Sequence, residues 1–153
     1  MIFANFAIGI PTMMLCLILQ VTFTYCGVRY AVRCARAPDA GLLLGIRALL
    51  IAMVIMMLGN FLQIMLWGAL FSSLGEFEEF YEAVYHSAVN FTSLGYGDVV
   101  MTKQRKLLGP LEALNGVVML GMSGAALVTI LQHLTRRQMQ AGKRQGQAAD
   151  DVG

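Results

Sequence analysis

The stretch Thr92-Ser93-Leu94-Gly95-Tyr96-Gly97-Asp98 decides how this chain of 153 residues folds. Its two glycines reach positive φ angles at little steric cost. The stretch therefore predicts a non-helical segment whose backbone twists so that neighbouring carbonyl groups face the same way. In a soluble protein a Gly-Tyr-Gly-Asp string usually marks a turn, so the sequence around it must decide between the two interpretations.

The surrounding sequence is strongly apolar. The chain is 58% hydrophobic and only 13% charged, whereas about 25% of residues are charged in soluble domains. Three stretches, 1–28, 48–75 and 113–135, contain no Asp, Glu, Lys or Arg, and a spanning helix needs about 20 apolar residues. We therefore expect three transmembrane helices, at about Ile8–Cys34, Leu42–Leu74 and Leu107–Arg137.

A shorter helix is expected at about Phe77–Phe91, directly before the glycine stretch. It is too short and too charged at its start to span, so it is interpreted as a re-entrant helix. Non-helical backbone at membrane depth survives only inside protein or against a water-filled cavity. Glu76, Glu78 and Glu79 lie near the start of this helix, where they favour its dipole, and its negative end would favour a cation beside Phe91.

The first apolar run could instead be a cleaved signal peptide. It has no basic n-region, its apolar part is too long, and no clear cleavage site follows, so an uncleaved span is favoured. Arg29, Arg33 and Arg36 follow it at helical spacing. A voltage sensor places several arginines inside a span, whereas these lie at its end, which favours anchoring to anionic lipids.

The order helix, short helix, glycine stretch, helix resembles the pore module of the tetrameric potassium channels, over about Ala48–Leu134. The specific part is residues 92–98, which are close to the T-x-G-Y-G-D filter signature of that family. The resemblance implies an all-α integral membrane protein with three transmembrane helices and a re-entrant pore helix and selectivity-filter loop between the second and third. It also implies a homotetramer that conducts potassium passively, with K⁺ as the permeant ion and no cofactor.

The resemblance assigns ion binding to Ser93, Leu94, Gly95, Tyr96 and Gly97. The carbonyls of residues 93–96 would replace the hydration shell of K⁺, and Tyr96 would point away from the pore to brace the strand. Ser93 keeps the hydroxyl of the innermost ligand ring, where most members have Thr, but lacks the methyl that restricts its rotamers. Leu94 replaces the usual Val, and these two departures leave a weakly selective cation channel as the closest alternative.

Three further residues are expected to support the filter: Thr92, Asp98 and Glu112. Asp98 would cap the outer mouth and pair behind the filter, or it is a solvated loop residue. Glu112 either braces the filter from behind or marks the membrane interface, and the sequence favours neither.

Glycines interrupt the last helix at Gly116, Gly121 and Gly124, although glycine weakens a helix. They serve either as a gate hinge, with Gly121 the best match to the hinge of the family, or for close helix packing. Ser123 and Thr129 either line a cavity or bond back to their own helix.

Other polar side chains receive structural interpretations. Asn60 and Gln63 lie one turn apart and are expected to join helices. His86 and His133 are more readily explained as packed or interfacial than as pH sensors. Free thiols without metal-ligand spacing are expected at Cys16, Cys26 and Cys34.

The basic residues predict the orientation. Eight of the 11 Lys and Arg residues follow the first span or the last one, and only Lys103, Arg105 and Lys106 lie between the second and third. Because basic loops stay cytoplasmic, we expect the N-terminus outside and the C-terminus in the cytoplasm. Compactness and resemblance suggest the plasma membrane, and specifically a bacterial inner membrane.

The predicted organisation has three parts: an N-terminal helix and basic loop (1–41), a pore domain (42–137) and a short, disordered tail (138–153). A non-conducting scaffold or regulatory subunit is the alternative from another class. An enzyme is not expected, because no catalytic or metal-ligand set is visible. A net charge of +2 is too small to indicate nucleic-acid binding.

Overall fold

The fold is all-α in a computed structural model that describes residues 2–35 and 42–150. Three helices, α1, α2 and α4, are long and apolar enough to cross a membrane, over Ile2–Cys34, Leu43–Ser73 and Leu108–Arg137. The expected three spans with a short helix between the second and third are therefore confirmed. Arg36 and the turn predicted at Pro38–Gly41 lie outside the described residues. The four helices are α1 (Ile2–Ala35), α2 (Leu42–Ser73), α3 (Phe80–Phe91) and α4 (Leu108–Asp150).

The short helix α3 and the first span α1 each pack against both α2 and α4. At the end of the spans beside α3, an apolar cluster forms around Trp67, Phe71 and Leu108. At the opposite end, the cluster is built on small residues, with Ala31 of α1 against Ala48 and Ala52 of α2. Small side chains let helix backbones approach closely, which is a main source of packing between helices in lipid.

A buried polar cluster joins the three spans near their middle. The Gln63 amide donates to the Gln20 carbonyl oxygen at 2.6 Å, and the Gln20 amide donates to the Ser123 hydroxyl, also at 2.6 Å. Asn60 approaches the same hydroxyl at 3.5 Å. The prediction that Asn60 and Gln63 join helices is confirmed, while Ser123 also bonds back to the Met119 carbonyl at 3.0 Å.

The end of α2 is closed by a glycine cap. Gly75 has a φ of +71°, and the Gly75 and Glu76 amides donate to the Ser72 and Phe71 carbonyls, as in a Schellman motif. Glu76 therefore belongs to the cap of α2 and does not lie at the start of α3, as the sequence suggested. Its carboxylate accepts from the backbone and hydroxyl of Thr102 and lies 3.6 Å from Arg105, which ties the outer loop to α2.

Three predicted helix boundaries need correction. α1 begins at Ile2 and not at Ile8. α3 begins at Phe80 and not at Phe77, because the cap of α2 and the chain that leaves it occupy the residues before Phe80. α4 continues to Asp150, so the prediction of a disordered tail is wrong for residues 138–150. These residues include four Gln and three Ala, which favour helix, and extending an existing helix requires no new nucleus.

Candidate functional site

The short helix α3 is seated by two glycines of its neighbours. A Cβ atom on Gly68 of α2 would lie 3.0 Å from the Val84 Cα, and one on Gly116 of α4 would lie 1.9 Å from the Phe91 carbonyl oxygen. α3 thus touches both spans through its backbone, at its middle and at its C-terminal end. These contacts fix the point at which the glycine stretch leaves the helix.

The glycine stretch has an alternating backbone conformation. Ser93, Gly95 and Gly97 have φ angles of 59°, 60° and 72°, whereas Leu94 and Tyr96 between them keep negative φ. Alternation of positive and negative φ allows neighbouring carbonyls to face the same way. The sequence predicts this geometry at the two glycines but not at Ser93, where positive φ is sterically unfavourable.

Hydrogen bonds to α3 hold the N–H side of this strand. The amides of Thr92 and Ser93 donate to Ala88 and Asn90, and those of Leu94 and Gly95 both donate to the Val89 carbonyl, at 3.0 and 3.4 Å. Within the described part of the chain, nothing donates to the carbonyls of residues 93–97. The strand therefore presents a row of free acceptors on its other side.

The side chains at the start of the stretch differ in their bonding. Thr92 donates to the Ala88 carbonyl at 2.7 Å and so helps to close the C-terminus of α3. The Ser93 hydroxyl is exposed and makes no hydrogen bond to another described residue. It remains available to an external partner.

The outer end of the stretch is held by a carboxylate. Asp98 accepts from the Tyr85 hydroxyl at 2.6 Å and from the Val99 amide at 3.0 Å. The Tyr85 hydroxyl lowers the pKa of Asp98 below its ordinary value, and the same bond raises the pKa of Tyr85. Asp98 is exposed and pairs with Tyr85 of α3, a partner that the sequence did not identify, and its role in supporting the filter remains a prediction.

Tyr85→Phe is expected to raise the pKa of Asp98 toward its ordinary value of about 3.9. The hydrogen bond from Tyr85 favours the ionised form of Asp98. Its contribution to the stability of the fold is therefore present above the ordinary pKa of Asp98 and is lost as the pH falls through the lowered pKa. The measurement is the pH dependence of the Asp98 carboxyl carbon chemical shift in isotope-labelled protein. Tyr81→Phe, at an exposed tyrosine of the same helix, is the matched control; an equal shift in both variants would contradict the assignment.

Behind the stretch, polar side chains connect α3 to both of its neighbours. The Ser87 hydroxyl lies 2.8 Å from the Ile64 carbonyl of α2 and 2.5 Å from the Glu112 carboxyl of α4. Glu112 is fully buried. Glu112 therefore contacts α3 in the interior of the protein, and its role as a brace for the filter remains a prediction.

His86 is packed, as expected. One ring nitrogen contacts the Val99 carbonyl at 2.9 Å and the other contacts the Asn90 amide at 2.8 Å, and the ring stacks against Phe71 and Phe77. Because a carbonyl can only accept, the nitrogen facing Val99 carries the proton. The Asn90 amide can then donate to the other nitrogen, as it does to a neutral ring, and burial lowers the pKa of His86 in the same sense.

The three glycines of α4 have different surroundings. Gly116 is a contact site for the Phe91 carbonyl, whereas Cβ atoms at Gly121 and Gly124 would meet nothing within 4 Å in the described chain. Close packing therefore explains Gly116, and a hinge remains a prediction for Gly121 and Gly124. The Thr129 hydroxyl bonds back to the Ala125 carbonyl at 2.9 Å.

Two large side chains of the stretch lack packing partners in the single chain. Leu94 is 57% exposed and Tyr96 is 66% exposed. The packing that the sequence predicts behind Tyr96 is therefore not supplied by the residues the structure describes.

Three helices that are long and apolar enough to span a membrane, with a short helix and a glycine-containing loop between the second and third, fit the pore-loop class of multi-pass membrane proteins. Residues 60–133 match the family model described as an ion channel. The matched segment is similar to an ion-channel domain, and together with the three apolar helices it fits a pore-loop channel with an extra N-terminal span. Comparisons with the curated proteins and with the solved structures returned no significant match.

Proposed function

We propose that this protein is a potassium-selective channel subunit that forms a homotetramer around residues 93–97. The observation that carries the proposal is the row of carbonyls without donors, produced by positive φ at Ser93, Gly95 and Gly97. Rings of backbone carbonyls are the ligands that potassium filters use in place of water.

The surroundings of the row also favour a cation. The C-terminal end of α3, which carries negative partial charge, lies where the filter begins, and its carbonyls accept the filter amides. Asp98 adds a negative charge at the outer end. Thr92, Asp98 and Glu112 support the filter in this proposal, and the Ser93 hydroxyl forms its innermost ring.

A tetramer follows from the filter itself. One chain contributes one strand, whereas a closed ring of carbonyls needs four. Exposed non-helical backbone is not tolerated in hydrocarbon, so the strand and the exposed side chains of Leu94 and Tyr96 need walls from neighbouring copies. In this assembly α1 lies on the outside, and Gly121 or Gly124 provides the gate hinge.

The membrane placement follows from the basic residues. We place the N-terminus outside and the C-terminus in the cytoplasm of a plasma membrane, such as a bacterial inner membrane. Arg29 and Arg33 are exposed at the end of α1, and Arg29 contacts the Tyr25 hydroxyl at 3.1 Å. Together with Arg36 they would bind anionic lipid headgroups on the cytoplasmic side.

The test is ion flux from proteoliposomes that contain the purified chain, with potassium and sodium gradients compared in parallel. We expect potassium flux to exceed sodium flux at least tenfold, which corresponds to about 1.4 kcal/mol of discrimination. Cross-linking of the same sample should give a tetramer.

The other outcomes select the competing functions. Equal potassium and sodium fluxes would indicate the weakly selective cation channel, which Ser93 and Leu94 motivate. A folded protein without flux in either gradient would contradict the proposal and favour a non-conducting scaffold or regulatory subunit.

A further inference from the structure

Glu112 lies in a buried site that offers no positive charge. Its side chain is fully buried and bonds to Ser87 of α3, with Asn90 of α3 and Cys16 of α1 nearby. Trp67 of α2 lies in the same buried cluster as Cys16. Glu112 forms no ion pair with a residue whose side chain the structure describes, so no cation compensates it there.

The Ser87 hydroxyl has two acceptors beside it and a single proton to donate. Its oxygen lies 2.8 Å from the Ile64 carbonyl and 2.5 Å from the nearer Glu112 oxygen, Oε1. A serine hydroxyl has one proton to donate, and a carbonyl oxygen can only accept. If Ser87 donates to Ile64, the contact with Glu112 is a hydrogen bond only when the carboxyl itself carries a proton and donates it to Ser87.

The second carboxyl oxygen leads to the same conclusion. Glu112 Oε2 is buried and makes no hydrogen bond, although the Asn90 side chain lies near the carboxyl. In a carboxylate this oxygen would share the negative charge, and a buried charge without a partner is far more costly than a buried neutral carbonyl. A protonated carboxyl removes that charge and leaves only a neutral acceptor unpaired.

We propose that Glu112 is a neutral carboxylic acid that donates to Ser87, which in turn donates to the Ile64 carbonyl, so that one relay fixes α3 to α4 and α2. Glu112 is then a positioning residue. Its importance for conduction rests on the proposed channel function, whereas its protonation state does not.

The relay acts close to the filter. Ser87 precedes Val89 by two residues, and the Val89 carbonyl holds the amides of Leu94 and Gly95. Loss of the relay would let α3 shift between α2 and α4, and the filter carbonyls would shift with it. The other titratable groups near the relay are Cys16 on α1 and His86 on α3, which reaches it through Asn90.

The direct test is the infrared spectrum of the protein in lipid at neutral pH, with and without ¹³C-labelled glutamate. A protonated carboxyl has a C=O stretch that is separate from the carboxylate bands and shifts on labelling. We expect that band in the wild type and in Glu82→Gln, an exposed control, and we expect it to be absent in Glu112→Gln. Its absence from the labelled wild type would overturn the proposal, whether or not the protein conducts.

The functional test compares flux among variants. Glutamine keeps a donor and the size of the side chain without a charge, so Glu112→Gln should conduct within about threefold of the wild type, whereas Ser87→Ala and Glu112→Leu should lose at least about tenfold. Loss of flux in Glu112→Gln, in a folded tetramer, would show that the negative charge is needed and would overturn the neutral-acid assignment.

Discussion

Gly95→Ala is expected to reduce potassium flux by at least about a hundredfold, because the filter strand needs a left-handed residue at this position. Gly95 has a φ of +60°, and a Cβ there would meet nothing within 4 Å of the described chain. The effect is therefore conformational: alanine in this region costs about 1–2 kcal/mol, and the cost recurs in each copy. Relief of that strain would turn the carbonyls away from the pore.

The matched control is Gly75→Ala. Gly75 also has a positive φ, +71°, with open space around its Cβ position, but it caps α2 and lies outside the filter. We expect it to lose about 1 kcal/mol of stability and to keep its flux. The measurement is flux from proteoliposomes matched for the amount of folded protein; a conducting Gly95→Ala channel would contradict the role of the filter backbone.

Gly116→Ala is expected to destabilise the fold by about 3 kcal/mol or more, at the upper end of what an overpacked core tolerates. The new Cβ would lie 1.9 Å from the Phe91 carbonyl oxygen and 2.7 Å from the carbon of the same group. Both atoms belong to backbone at the end of α3, which cannot move aside like the tip of a flexible side chain. Thermal unfolding in detergent measures the effect as a lower Tm.

Gly124→Ala is the control for that substitution, since its Cβ would meet nothing within 4 Å in the described chain. Alanine is the better helix former by about 1 kcal/mol, so this variant should be as stable as the wild type or more stable. Equal Tm values for the two variants would show that α3 and α4 do not approach each other as closely as the structure places them.

The arrangement of the spans could be predicted from sequence because it depends on local composition. Charge-free runs locate α1, α2 and α4, and a short charged helix before two glycines predicts α3. The sequence places the start of α3 too early, because Gly75 and Glu76 form the C-terminal cap of α2. The polar composition of the tail predicts disorder, whereas its helix propensity is sufficient to continue α4 to Asp150.

The partners within the site could not be predicted in the same way. Residue types identified Asp98 and Glu112 as candidates, but pairing with Tyr85 and Ser87 depends on how α3 is rotated between its neighbours. That rotation is set by close contacts at Gly68 and Gly116, which are tertiary. Positive φ at Ser93 likewise depends on amide bonds to α3 and not on any preference of serine.

The polar cluster at the middle of the spans has a mechanical consequence. Gln20 on α1 forms hydrogen bonds with both Ser123 on α4 and Gln63 on α2. The surrounding medium has no water to replace these bonds. Any tilt of α4 away from α2 must break one of these bonds: either α1 stays with α2 and Gln20 releases Ser123, or α1 moves with α4 and Gln20 releases Gln63. When α1 moves with α4, the two helices occupy a larger area of the bilayer than α4 alone. The lateral pressure of the lipid then acts on α4 through α1.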